Sequence, residues 1–407
     1  MLTNMSKKIT NILFIHHATG WGGAPNNMIH LILGLDKSLY KVQVLLLKNS
    51  IVSQKLYEYH IEYKIASSIF YRYIYQYTSL SKNHSRSVVD YFNIIRCRIC
   101  WYLSNKFFAR RELQKFKADI IHLNSSVLTD WLKPCHEIAK TIMHIQETVY
   151  INPDKRWDNY LKETINKYTD QIVAISKDSA ESLGLLNKTK IIYNYSYITE
   201  MDELPLSRYY SKKVLYLGGT NLIKGFEIMV KSLDYITEDV VILFGGYMNT
   251  GKHNKHKILR KILNIFTNNY NNDRYIIEHL LKQLQFYNNV EIIDMQHNII
   301  PFLDEIVCLV SPFKIPHFSR PVIEAFARRK SAIATRIRGM DEIIDDEING
   351  ILVTPDDPQD LANAINKLVH NPALAKEYGD NGYKKACQLF SQNNIKQLEN
   401  IYDKLSL

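Results

Sequence analysis

The chain has 407 residues, of which 46% are hydrophobic and 23% charged, an ordinary composition for globular domains and enough length for two or three separate cores. No apolar run approaches the roughly 18 residues needed to cross a bilayer, and Lys7-Lys8 followed by ITNILFI reads as the entry to a first strand rather than as a leader. Five cysteines, an odd number in a long chain, argue against a disulfide framework, so a reducing, cytoplasmic setting is expected.

Residues 9–15 (ITNILFI) read as a buried strand, followed by a loop in which Gly20, Gly22 and Gly23 let backbone approach a ligand closely. Met28, Ile29, Ile32 and Leu33 then set a helical period. A dinucleotide fingerprint requires Gly or Ala at position 25 and an acid after the second strand (residues 42–47). The chain has Pro25, Lys48 and Asn49, which disfavours a nicotinamide-binding domain.

Residues 64–117 hold eleven Lys or Arg against two acids, interleaved with aromatics on helical spacing. Such a segment suits an anionic lipid surface or a nucleic-acid groove, and it equally suits a helix whose aromatics are core and whose cations are solvated. Cys97 and Cys100 have zinc-like spacing, but only Cys135-His136 offers a second pair, so a metal site is not expected.

Apolar runs at 118–124, 141–147, 171–176 and 190–194, separated by helical patterns, make the first half a doubly wound α/β sheet. His144 falls at the end of one of them, where a lone histidine is more often packed than functional. Residues 196–211 lack periodicity and contain Pro205, as a linker would. Strand patterns resume at 214–219, 240–246, 289–294 and 350–355, with two closing helical patterns from 357 onward. Residues 247–287 are about twenty longer than a usual connection and read as a basic excursion.

Residues 309–340 form the most informative stretch, a strand to Pro312, a polar loop, a helix opening at Arg320-Pro321 and a second strand at 332–335. In such a unit the loop and first helical turn attract anions, because backbone N–H groups there lack partners. Arg320 lies in that first turn, where the helix dipole disfavours a cation and Glu324 stands in the poorer order for an ion pair. A bound diphosphate would explain it, and so would a weak solvated pair with Glu324.

The run PHFSRPVIEAFA resembles the donor-site helix of retaining GT-B glycosyltransferases of family 4, which carry two Glu residues separated by seven others. Glu324 matches the second; Pro316 replaces the first. Phe318 keeps the motif's aromatic, Ser319 stands at a usual glycine, and Glu342 matches the acid after the small-residue loop. Gly218-Gly219, a spacer and Lys224-Gly225 match the family's glycine and Lys-Gly arrangement, with Gly219 in place of an arginine whose charge Arg320 is a candidate to supply. The resemblance is strong over 212–370 and weaker before it.

That resemblance implies two doubly wound Rossmann-like domains facing a cleft: an acceptor-binding domain at 1–195, a linker at 196–211, a nucleotide-sugar-binding domain at 212–388, and a final helix at 389–407 packing back on the first domain. It implies donor binding by Gly22, Gly23, Gly218, Gly219, Lys224, Phe318, Ser319, Arg320, Glu324 and Glu342. Catalytic roles fall on His144, Lys224 and Glu324, with no metal or cofactor and no nucleic acid. The implied partners are a nucleotide-diphosphate sugar and a glycan or lipid-linked glycan acceptor, met by a protein peripheral to the inner membrane face. A sugar-nucleotide epimerase of the same fold and a non-catalytic glycan- or nucleic-acid-binding protein are the alternatives.

Overall fold

Apolar runs without alternation, such as Ile12-Leu13-Phe14-Ile15, form strands buried on both faces. The computed structural model describes residues 9–17, 19–78, 88–149, 151–152, 155–194, 198, 201–246, 268–293, 298–391 and 393–406. Most of the long stretch expected after residue 246, and part of the expected linker, lie outside them.

The chain divides into two compact units. The first holds most of residues 1–197 together with 390–407; the second holds 198–389. In the first unit the strands are β1 (Thr10–His16), β2 (Tyr40–Leu46), β3 (Tyr63–Ile65), β4 (Ile120–Leu123), β5 (Lys140–Ile145), β6 (Gln171–Ala174) and β7 (Thr189–Ile191). They form one parallel sheet in the order β3-β2-β1-β4-β5-β6-β7. Ile12 and Phe14 enter one core and Leu13 and Ile15 the other, as the two-residue period of a strand requires. The helix Asn393–Ser406 covers the Ile12/Phe14 face with Ile395, Leu398, Ile401 and Tyr402.

In the second unit β8 (Lys213–Tyr216), β9 (Val241–Phe244), β10 (Val290–Ile292), β11 (Cys308–Ser311), β12 (Ser331–Thr335) and β13 (Gly350–Val353) form a parallel sheet in the order β10-β9-β8-β11-β12-β13. The core of this unit includes Tyr209, whose buried hydroxyl donates to the Arg329 carbonyl at 2.6 Å. Both sheets reverse direction beside their first strand, between β1 and β4 and between β8 and β11. Ligands of open α/β sheets bind at such switch points, outside the carboxyl ends of the strands.

The basic aromatic segment is partly core and partly surface. Phe70, Tyr71, Tyr75 and Trp101 are core, whereas Phe92, Ile95, Ile99 and Tyr102, spaced as one stripe on the helix Val88–Leu103, are exposed. The segment begins inside β3, a short edge strand its composition does not announce. Two π-helical turns, Phe70–Ile74 and Ser104–Phe108, stack Phe70 on Phe108 at 4.2 Å and join Tyr71 to Ser104 at 2.8 Å. Beneath them Tyr75 donates to both oxygens of Asp130, at 3.1 and 3.0 Å. Burial pushes the Asp130 carboxyl up to about 7.

An acid whose folded pKa is raised holds its proton in the native state after the unfolded chain has lost it. Asp130 therefore costs stability as pH rises from about 4 to about 7, by up to about 4 kcal/mol. Denaturant titrations across that range should find Asp130→Asn more stable than wild type at pH 7 and nearly equal to it at pH 4. A difference that does not change with pH would contradict the assignment.

Candidate functional site

The switch point of the second unit is built by two loops that lock together. After β8 the chain turns through Gly218 and Gly219, the latter at φ 57°, and Gly219 N–H donates to the Gly245 carbonyl at 3.0 Å. A Cβ on Gly218 would lie 2.0 Å from the Tyr216 hydroxyl, and one on Gly246 would lie 2.9 Å from Gly219 N, so these glycines are fixed by packing within the unit. The loop then makes the short turn Leu222–Lys224, capped by the Asn221 side chain, and ends at Gly225 with φ 85°. A Cβ at Gly225 would stand 2.0 Å from the Pro312 carbonyl oxygen. Only glycine combines that backbone conformation with that approach.

The loop after β11 returns the contact. Lys314 N–H donates to the Ile223 carbonyl at 2.9 Å, and its ammonium bonds Glu227 at 2.9 Å and pairs with Asp356 at 3.3 Å. The His317 ring stacks on Phe313 at 3.8 Å, and the His317 backbone N–H donates to the Arg338 carbonyl at 3.0 Å. This bond ties in the turn after β12, which holds Glu342, half-buried. Lys224 is exposed to solvent, yet enough protein surrounds it that desolvation lowers its pKa. Burial and the nearby Lys224 charge lower His317 to about 4. A cation and a neutral imidazole thus share the mouth of the switch point.

The helix Arg320–Ala327 begins there with Pro321 in its first turn. Ser319 precedes it, but its hydroxyl meets the Ser311 hydroxyl at 2.9 Å and makes no cap. Phe318 is buried. Arg320 Nε donates to Glu324 at 2.8 Å. Burial raises the pKa of the Glu324 carboxyl and Arg320 works against the shift. Gly218, Gly219, Lys224, Phe318, Ser319, Arg320 and Glu342 therefore sit on loops and a first helical turn at one edge of one sheet, with Glu324 one turn further along the helix. Sequence reasoning missed His317 and Lys314, although both fall inside the loop it singled out.

The first unit carries Gly22, Gly23 and His144. A Cβ at Gly20, Gly22 or Gly23 would meet nothing within 4 Å, and Gly22 has an extended backbone (φ −161°) that any residue adopts. Among the described residues nothing requires glycine at these positions. Behind them runs a chain of amides. Asn27 donates to Gln146 at 3.4 Å, and Gln146 donates to Asn124 at 3.0 Å. The Asn124 amide nitrogen donates to the Ala24 carbonyl at 3.2 Å and faces His16 Nδ1 at 3.1 Å. Since a carbonyl only accepts, that nitrogen is the donor and the proton of neutral His16 sits on Nε2. Burial, with His17 adding to it, lowers His16 to about 3. Glu147 holds the loop after β4, accepting from Ser125 Oγ at 2.8 Å, Ser126 N at 2.9 Å and Gln146 N at 3.0 Å, and from the Ser126 hydroxyl. His144 is buried and neutral, with its pKa lowered to about 3 by desolvation.

The cysteines of the zinc-like spacing are free thiols. Among the described residues no three His, Cys, Asp or Glu side chains converge as metal ligands would.

Solved structures supply the fold's identity. The chain aligns with Anabaena HepE in complex with UDP and glucose over 98% of its length and 99% of that chain, with TM-score 0.70 and 18% identity. It aligns with a Staphylococcus aureus TarM mutant over 98% of its length and 100% of that chain, with TM-score 0.70 and 13% identity. This is the GT-B fold. Residues 205–385, most of the second unit, match the family model Glycosyl transferases group 1. An uncharacterized glycosyltransferase of Methanocaldococcus jannaschii is 24% identical over 243 residues, which are 58% of this chain and 60% of that protein. The MMP alpha-(1->4)-mannosyltransferase of Mycolicibacterium hassiacum is 30% identical over 102 residues, 25% of this chain and 24% of that protein. The chain thus spans well under two thirds of the length of these curated relatives. Every residue of the Lys224 and Arg320 loops lies inside the matched segment.

Two glycine substitutions separate structural from open positions. Gly225→Ala should lower stability by about 2 kcal/mol or more, through strain at positive φ and collision with Pro312. Gly22→Ala should stay within about 0.5 kcal/mol of wild type. Equal losses in denaturant titration would refute this distinction.

Proposed function

We propose that the chain is a retaining glycosyltransferase of family 4, moving a sugar from a nucleotide-diphosphate sugar to a glycan or lipid-linked glycan acceptor in the assembly of a polysaccharide or glycoconjugate. One observation carries the reading: Lys224, His317 and the first turn of the helix Arg320–Ala327 meet at the switch point of the group 1 domain. A cation and helix N–H groups there suit a diphosphate, and they gain strength as the bond to the sugar breaks and charge gathers on the leaving group. Glu324, steered by Arg320, suits the ribose hydroxyls. HepE is described with UDP-glucose as well as with UDP, which supports uridine nucleotides as the first donors to try. No metal or cofactor enters this reaction.

A panel of nucleotide sugars, each with and without glycan acceptors, tests the reading. Acceptor-dependent release of nucleoside diphosphate is expected, with a product of the donor's anomeric configuration by proton NMR. Acceptor-independent isomerisation would make the chain an epimerase, and binding without turnover would make it a binding protein. Lys224→Ala should lower turnover by about two orders of magnitude with the fold intact, because one preorganised charge leaves a developing anion. An unchanged rate would remove Lys224 from the site.

A membrane surface is proposed as the place where the acceptor is met. Among the described residues no helix is long and apolar enough to cross a bilayer. The exposed stripe Phe92, Ile95, Ile99 and Tyr102, with Lys106 5.6 Å from the Tyr102 ring and 5.3 Å from the exposed Phe107 ring, supports shallow docking among anionic headgroups. With about 1 kcal/mol from each basic residue near such a surface, binding to anionic vesicles should fall steeply with salt. Equal co-sedimentation with neutral and anionic vesicles would contradict it.

A further inference from the structure

His144 and His122 are buried neighbours in the first unit, on the adjacent strands β5 and β4. His122 Nε2 lies 3.1 Å from His144 Nδ1, and His122 Nδ1 lies 2.8 Å from the hydroxyl of Tyr402, a buried residue of the helix Asn393–Ser406. Phe14 stacks on the His122 ring at 4.3 Å and fixes its plane. The far nitrogen of His144, Nε2, is buried and has no hydrogen-bond partner among the described residues. It stands near the carboxyl end of β5, at the edge where the amide chain and Gly22-Gly23 also gather.

A relay of two neutral imidazoles and a phenol has only two proton arrangements that keep both of its hydrogen bonds. In one, Tyr402 donates to His122 Nδ1, His122 donates from Nε2 to His144 Nδ1, and His144 carries its proton on Nε2. In the other every bond runs the opposite way and His144 Nε2 is a bare lone pair. The two differ at the tyrosine. Among the described residues its hydroxyl has no hydrogen-bond partner except His122 Nδ1. In the reversed arrangement the phenol would accept that bond, and its own O–H would be buried with nothing to receive it. In the forward arrangement each shared proton has an acceptor, and the one group left over is the Nε2–H of His144, at an edge that ligands reach in this class of sheet.

We propose that Tyr402, acting through His122, is a positioning residue that holds His144 as the Nε2–H tautomer, so that His144 meets its ligand as a hydrogen-bond donor and not as a base. The ligand oxygen it would address, a hydroxyl or ether of a bound sugar, rests on the glycosyltransferase reading; the proton arrangement does not. Burial lowers both imidazoles well below neutrality, which keeps the relay neutral across the working pH range. His16, locked by Asn124, presents Nε2–H from β1 by an independent route. Two neutral imidazole donors at one sheet edge suit an uncharged polyhydroxylated ligand.

Histidine nitrogen NMR on the full-length protein labelled with 15N at both ring nitrogens tests this without any substrate, with His144→Gln used to assign the signals. In the wild type, His144 should have a protonated Nε2 and an unprotonated Nδ1, unchanged between pH 8 and pH 5. In Tyr402→Phe the relay loses its donor, and His122 and His144 should become mixtures of tautomers together while the signals of the other histidines hold their positions. A wild-type His144 protonated on Nδ1 overturns the proposal whether or not the variant folds. So does a folded Tyr402→Phe whose His144 tautomer is unchanged. A chain without transferase activity would sink the functional reading and leave the tautomer result standing.

Discussion

The second unit's site depends on one close approach, that of Gly225 to the Pro312 carbonyl across the gap between β8 and β11. Parallel strands at a switch point diverge into loops that travel opposite ways, and nothing in the sheet itself holds those loops together. Here a glycine at positive φ lets the first loop settle on the second, and Lys314 N–H to the Ile223 carbonyl secures it. Lys224 precedes that glycine, so docking of the backbone fixes where the ammonium can reach. The lowered pKa of Lys224 and the suppressed protonation of His317 are electrostatic consequences of the same approach.

The two units present different chemistry at their sheet edges. The second offers cations, a carboxylate and a helix N-terminus, which suits charged ligand atoms. The first offers neutral imidazoles and amides, and its Glu147 carboxylate is taken up by serine and backbone donors. Desolvation makes that difference: beneath a parallel sheet edge an unpaired charge is expensive, so buried histidines stay neutral and act through hydrogen bonds.

Much of this architecture was legible in the sequence, and the reasons are physical. Strands buried on both faces leave continuous apolar runs, which is why β1, β5, β11 and β12 stand out. The edge strand β3 has only Tyr63, Lys64 and Ile65, none fully buried, and so it disappears into a segment whose aromatics suggest helices. At 320–324 the sequence left two readings open, a bound diphosphate and a weak pair with Glu324, and an Arg320–Glu324 contact of 2.8 Å is compatible with either. Contacts between distant residues were beyond reach: Gly225 against Pro312, or Tyr402 against His122 across 280 positions, are products of the fold, with no local signature. His317 could have been noticed as an imidazole two residues before the helix N-cap, in a loop already identified as a ligand edge.

The central claim is that the edge between β8 and β11 is a diphosphate site. Titration calorimetry of the intact chain with UDP and with uridine addresses it most directly, since the two ligands differ only in the anion. Tighter binding of UDP by about 100-fold, narrowing as salt is raised, is what a preorganised cation and helix terminus should produce. Equal affinities, or a preference that ignores salt, would mean that this edge does not bind the diphosphate.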